Sequence, residues 1–74
     1  MRKKCGRLFY DESLERYDIN FEDGSLYGGL HCGEVIEGLI DGEWKHLRIE
    51  IDGSGSWYFI GLESRYSRPE FVRI

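Results

Sequence analysis

Asp41-Gly42 separates two β-rich runs, Glu34 to Ile40 and Glu43 to Ile51, and constrains this chain more than any other pair of residues. A two-residue hairpin turn of type I′ needs positive φ at both central positions, which Asp-Gly supplies. The register of the hairpin then follows by counting outward. Ile40 faces Glu43, Leu39 faces Trp44, Gly38 faces Lys45, Glu37 faces His46, Ile36 faces Leu47 and Val35 faces Arg48. Because side chains alternate along a strand, Ile36, Ile40, Leu47, Ile49 and Ile51 share one face, which is a core face. Val35, Glu37, Leu39, Trp44, His46, Arg48 and Glu50 share the other, half apolar and half charged.

The remaining segments fit around this hairpin. Arg7 to Tyr10 is a short strand candidate, and Asp11 to Ser13 a polar turn. Tyr17, Ile19 and Phe21 alternate with Asp18 and Asn20, so 15–21 reads as a half-buried strand. Leu26 to Gly33 holds three glycines and predicts an irregular corner. Asp52 to Ser56 reads as a flexible loop, Trp57 to Leu62 as an aromatic strand, and Glu63 to Glu70 as a loop with room for a helical turn. Phe71 to Ile74 reads as a last strand. No helix-period segment of ten or more residues occurs. The expected fold is therefore all-β, a small barrel of five to six short antiparallel strands, since closure is how short strands avoid open edges.

Seventy-four residues beginning at Met1 read as one domain, 1–74, and as a whole small gene product. A chain of this size reaches a stability of only about 3–5 kcal/mol unless something else supports it, which gives weight to its two Trp, five Tyr and four Phe. Its net charge of −4 is unevenly distributed. Residues 1–7 carry four bases and no acid, residues 8–64 a net of −10, and residues 65–74 a net of +2. If the ends meet on adjacent strands, a basic edge borders an acidic body. Arg2, Lys3 and Lys4 are not followed by an apolar run of signal-peptide length, and no stretch approaches the ~18 apolar residues of a membrane span. The chain is expected to be cytoplasmic, with Cys5 and Cys32 as reduced thiols.

Sites for catalysis or cofactors are poorly supported. Cys5, His31, Cys32 and His46 are zinc-type ligands, but His31 and Cys32 are adjacent and the paired spacing of structural zinc sites is missing. Cys32 with His46 is the one nucleophile and base that the hairpin could bring together, in a domain too small for a pocket of ~300 Å³. Glu34 and Glu37 fall on opposite strand faces, and Gly53-Ser-Gly55 lacks the Lys and helix of a phosphate loop. The expectation is a protein without enzymatic activity, metal or cofactor.

Leu30-His-Cys-Gly-Glu34, Gly42-Glu-Trp44, Arg48-Ile-Glu50, Trp57-Tyr58 and Val72-Arg-Ile74 together resemble a family of small uncharacterised bacterial proteins. That family is a domain of unknown function, common in Gram-positive bacteria and their mobile elements, and the resemblance covers roughly the last three fifths of the chain. It implies a fold and no activity. Leu30-x-x-Gly33-Glu34-Val-Ile and Asp41-Gly-Glu-Trp44 are also similar to SH3-type barrels, the latter where such domains often carry a ligand-facing Trp. The Ala-Leu-Tyr-Asp-Tyr and Pro-x-x-Tyr segments of those domains are absent, which puts polyproline recognition by their usual groove in doubt.

Two kinds of partner follow. Trp44 and Leu39, rimmed by Arg48 and other charged groups, suit a protein partner, because Trp is a frequent interface anchor. The competing reading is that the N-terminal strand or the 63–70 loop covers Trp44. Arg65, Tyr66 and Arg68, with the basic N-terminus, suit weak nucleic-acid binding, which the resemblance links to mobile elements. The expected function is a small protein-interaction module with Leu39, Trp44, Arg48, Tyr66 and Arg68 as contact candidates. Nucleic-acid binding and self-association into a homodimer are the alternatives.

Overall fold

The computed structural model describes residues 3–64 and 67–74. Six strands form a single antiparallel sheet: β1 (Cys5–Asp11), β2 (Arg16–Phe21), β3 (Val35–Ile40), β4 (Glu43–Ile51), β5 (Trp57–Ile60) and β6 (Phe71–Arg73). No helix occurs among the described residues, so the 63–70 segment contributes no helical turn there. The fold is all-β, as the turn chemistry and alternation predict.

The central hairpin has the register counted from Asp41-Gly42, from Ile40 opposite Glu43 to Val35 opposite Arg48. Asp41 and Gly42 adopt φ of 51° and 80°, the left-handed pair of a type I′ turn. The sheet order is β2-β1-β6-β3-β4-β5, so the three-residue β6 lies between the two hairpins and joins them. Cys5 and Arg7 pair with Arg73 and Phe71 on one side of β6, while Glu37 and Gly38 pair with Arg73 and Val72 on the other. Reciprocal backbone bonds of 2.9 Å between Lys4 and Ile74 extend this ladder, so the two ends of the chain do meet.

The edge strands β2 and β5 are brought together by side chains. Trp57 Nε1 donates to the carbonyl of Glu15 at 3.0 Å, and the rings of Tyr17 and Phe59 meet edge-on at 5.7 Å. Arg68 bridges the same seam, donating to Tyr17 Oη at 2.9 Å and to the Trp57 carbonyl at 2.7 Å. Its guanidinium lies 5.6 Å from both the Tyr17 and Phe59 rings. The wrap encloses a core of Ile19, Phe21, Leu30, Ile36, Leu47, Ile49, Trp57, Phe59 and Val72. Ile51, expected on the core face, is 40% exposed at the last position of β4, whereas Leu47 and Ile49 on the same face are buried.

The glycine-rich stretch turns the corner around one carboxylate. Asp18, buried on β2, accepts hydrogen bonds at one oxygen from the backbone N–H groups of Ile19, Gly28 and Gly29, all at 2.8–2.9 Å. Gly28 and Gly29 have φ near 105°, a conformation that costs other residues energy. This fold back along β2 places Leu30 in the core, fully buried.

Candidate functional site

The outer face of the sheet, across β1, β6, β3 and β4, carries side chains that the core does not use. Two adjacent rows cross the strands. In the first, Cys5 lies opposite Arg73, Arg73 opposite Glu37, and Glu37 opposite His46. In the second, Arg7 lies opposite Phe71, and Leu39 opposite Trp44. The alternation of β3 and β4 that sends Ile36 and Leu47 inward sends Glu37, Leu39, Trp44 and His46 outward.

Glu37 anchors the first row. Arg73 grips its carboxylate with Nε and Nη2, both at 3.2 Å, and Lys3 donates to the same group. His46 Nε2 stands 3.9 Å away. Covered by these groups, Glu37 is only 7% exposed although it lies on the wetter face. Hydrogen bonds from Arg73 and Lys3 to the charged form hold its carboxyl down to about 2.

Arginines lie over the rings of the second row. The Arg73 guanidinium sits 4.3 Å from the centre of the Trp44 ring, and that of Arg7 sits 5.0 Å from Phe71. Phe71 is 39% exposed, while Leu39 and Trp44 are half-buried and stand outside the core cluster. Trp44 therefore packs under an arginine on the sheet surface. Arg48 is exposed on the same face and bonded to Glu50 at 2.8 Å.

The sequence-predicted contact residues thus divide. Leu39, Trp44 and Arg48 share the outer face; Arg68 belongs to the β2–β5 seam; Tyr66 lies outside the described residues, as does Arg65. Lys3 and Arg7, which the sequence offers only within the basic N-terminus suited to nucleic acid, complete the face together with Phe71 and Arg73, which sequence reasoning missed. The basic ends of the chain signal Lys3, Arg7 and Arg73, and nothing in the sequence signals Phe71 before the ends are seen to be paired.

The residues considered for catalysis and metal binding are dispersed. Cys32 Sγ lies 3.0 Å from Glu50, whereas His46 stands beside Glu37; Glu50 and His46 are four residues apart on β4, roughly 13 Å along the strand, so the candidate nucleophile and base have different neighbours. The His31 ring bonds Glu34 at 3.1 Å, and Cys5 lies opposite Arg73, so the four zinc-type ligands do not converge. Cys5 and Cys32 are both free thiols. An open cleft of about 370 Å³ lies between the hairpin tip and the 62–70 segment, larger than the sequence suggested, but neither histidine nor cysteine lines it. No helix among the described residues is long and apolar enough to cross a membrane.

Comparison with known proteins adds a family and a fold. The profile of a domain of unknown function, DUF5348, matches residues 6–73, well beyond the three fifths over which the motifs are evident. A crystal structure of a protein from Ruminococcus gnavus, a structural-genomics target, is 41% identical to this chain. It superposes with a TM-score of 0.83, over 96% of this chain and 100% of that one. No curated protein matches the chain.

Proposed function

The chain belongs to the DUF5348 family of domains of unknown function, and we propose that this member is a non-catalytic protein-interaction module. Its scaffold, in this reading, is a small SH3-like barrel in the cytoplasm, and its working surface is the outer face of β1, β6, β3 and β4. One observation carries the proposal: Leu39, Trp44 and Phe71 lie on that face, outside the core cluster, flanked by Arg7 and Arg73. A domain of this size has little stability to forgo, so ring surface placed away from the core is better explained by contact with a partner than by folding. Aromatic residues with arginine at the rim are the composition of interface centres.

Nucleic-acid binding is the second reading, favoured by Lys3, Arg7 and Arg73 standing on one face. The internal partners of the basic groups weigh against it. Lys3 is bonded to Glu37, Lys4 lies 3.7 Å from Asp23, and Arg68 is engaged in the seam. A few engaged cations release few counterions, whereas affinity for a polyanion grows with the number of phosphates neutralised.

The test is a pull-down from lysate of the organism that carries the gene, with and without nuclease, comparing the native chain with Trp44→Ala and Phe71→Ser. A nuclease-resistant protein recovered by the native chain and lost with both variants is the expected result. Nuclease-sensitive recovery assigns the face to nucleic acid, and recovery indifferent to both variants removes the face from consideration. Self-association through Trp44 would instead double the sedimenting mass of the pure native chain and be lost in Trp44→Ala.

A further inference from the structure

We infer that the partner presents a short acidic polypeptide segment with an apolar side chain beside its carboxylates, bound at Arg7 and the recess next to it. This inference rests on the proposed outer-face interface and specifies the chemistry of what occupies it.

The first ground is charge. On the outer face of β1, β6 and β3 stand Lys3, Arg7 and Arg73, and the carboxylate among them is the buried Glu37, already held by Lys3 and Arg73. The remaining acids lie largely at turns and strand ends. Asp11, Asp23 and Asp52 each accept from backbone N–H groups of their own turns, and Glu12, Asp41 and Glu63 are exposed in others. A chain of net charge −4 thus carries a locally positive sheet face in a negative surround. An acidic segment is drawn to the face and repelled elsewhere, and a basic one experiences the reverse.

The second ground is the state of Arg7. Its guanidinium carbon lies 5.0 Å from the centre of the Phe71 ring, and no carboxylate among the described residues pairs with it. The in-plane N–H donors suit a carboxylate, which the planar fork binds with two parallel hydrogen bonds.

The third is a recess of about 360 Å³ beside Arg7, bounded by Cys5, Gly6, Asn20, Phe21 and Phe71, with Glu22 at its rim. Two aromatic residues, Phe21 and Phe71, are among those that line it. A leucine or phenylalanine side chain suits such a space, so an apolar residue adjacent to an acidic one would occupy recess and guanidinium together. Bases of a nucleic acid fit less well, since stacking needs open ring faces and the Trp44 and Phe71 rings already carry guanidinium groups.

The experiment selects a random dodecapeptide phage library on the immobilised native chain and, in parallel, on Arg7→Glu and Phe71→Ser, each checked by thermal melting. Selected peptides are then synthesised with a fluorophore and titrated by anisotropy, beside labelled oligo-dT at ~50 mM salt, where phosphate contacts are strongest. The expected peptides place Asp or Glu next to an aromatic or aliphatic residue and bind Arg7→Glu at least about tenfold more weakly. Neutral or basic peptides that lose binding to Phe71→Ser overturn the acidic partner and leave the interface standing. Peptides that bind both folded variants as well as the native chain, or no enrichment at all, overturn interface and partner together. Oligo-dT binding that Arg7→Glu abolishes overturns the polypeptide in favour of nucleic acid.

Discussion

Replacing Trp44 with alanine separates a surface role from a core role by magnitude. The indole makes two contacts of known type: the Arg73 guanidinium at 4.3 Å, and Leu39 directly across the β3–β4 ladder. A cation over a ring at an exposed site contributes about 0.5–1 kcal/mol. A cross-strand pair of this kind contributes roughly 0.2–1 kcal/mol. Trp44→Ala should therefore lose about 1–2 kcal/mol, or roughly 4–16 °C in Tm for a domain this size. Urea unfolding followed by fluorescence is well suited to the variant, because Trp57 is then the one tryptophan left and reports from the β2–β5 seam. The midpoint should fall while the denaturant slope is unchanged, since the unfolded surface is nearly the same. Phe59→Ala supplies the scale for a core residue: truncating so buried a ring costs about 3–5 kcal/mol, comparable with the whole stability of the domain. A loss at Trp44 as large as that at Phe59 would refute the reasoning, because the indole would then be a core element and not a surface held ready for a partner.

Glu37→Gln should flatten the acid limb of stability. The carboxyl titrates at about 2 in the folded chain and near 4.5 when unfolded, so its contribution is fully present above about 4.5 and is lost as pH falls towards 2. The Tm difference between native chain and variant should be constant above that window and shrink within it. Asp18→Ala leaves the buried N–H groups of Ile19 and Gly29 without an acceptor, at about 1–3 kcal/mol each, and should largely unfold the domain, whereas Asp18→Asn keeps a carbonyl oxygen and should retain folded signal in circular dichroism. Gly6→Ala places a methyl 2.6 Å from the Asn20 carbonyl oxygen and 2.7 Å from Ile19 Cγ2, so β1 and β2 must part; a loss of about 1–3 kcal/mol in thermal melts is expected. Tyr27 donates its hydroxyl to Glu34, which pushes it up to about 12, so this bond stabilises the fold below pH ~10 and is lost as pH rises towards 12; in an alkaline absorbance titration the Tyr27 step should move earlier in Glu34→Ala.

The central hairpin was legible to the residue, because a two-residue turn leaves one register and alternation then assigns every face. The same local logic failed wherever a partner arrives from far along the chain. Glu37 reads as a solvated charge until β6 brings Arg73 alongside it, 36 residues away, and Lys3 follows from the other terminus. Arg68 reads as a free basic group beside Tyr66, and its place in the seam depends on how the sheet wraps, which no short pattern encodes. Asp18 looks like one more outward acid on an alternating strand; its burial depends on the two glycines ten and eleven residues later folding back over it. Half of the outer face, Leu39, Trp44 and Arg48, could be read because it belongs to one hairpin. The other half is contributed by β1 and β6, whose adjacency the basic ends suggested without fixing a register.

The position of β6 also bears on how the chain reaches this state. A three-residue strand that joins two hairpins leaves the ribosome after the other five, so β1 and β3 each emerge with one side unpaired and remain so until residues 71–73 arrive. During that interval two ready hairpins in one chain face identical hairpins in its neighbours, and insertion of a neighbour's β6 would produce the same ladder with exchanged partners. Yield on refolding should accordingly fall as concentration rises, with swapped dimers as the by-product. The strand that unites the sheet is thus also the step at which synthesis is exposed to crowding by sister chains.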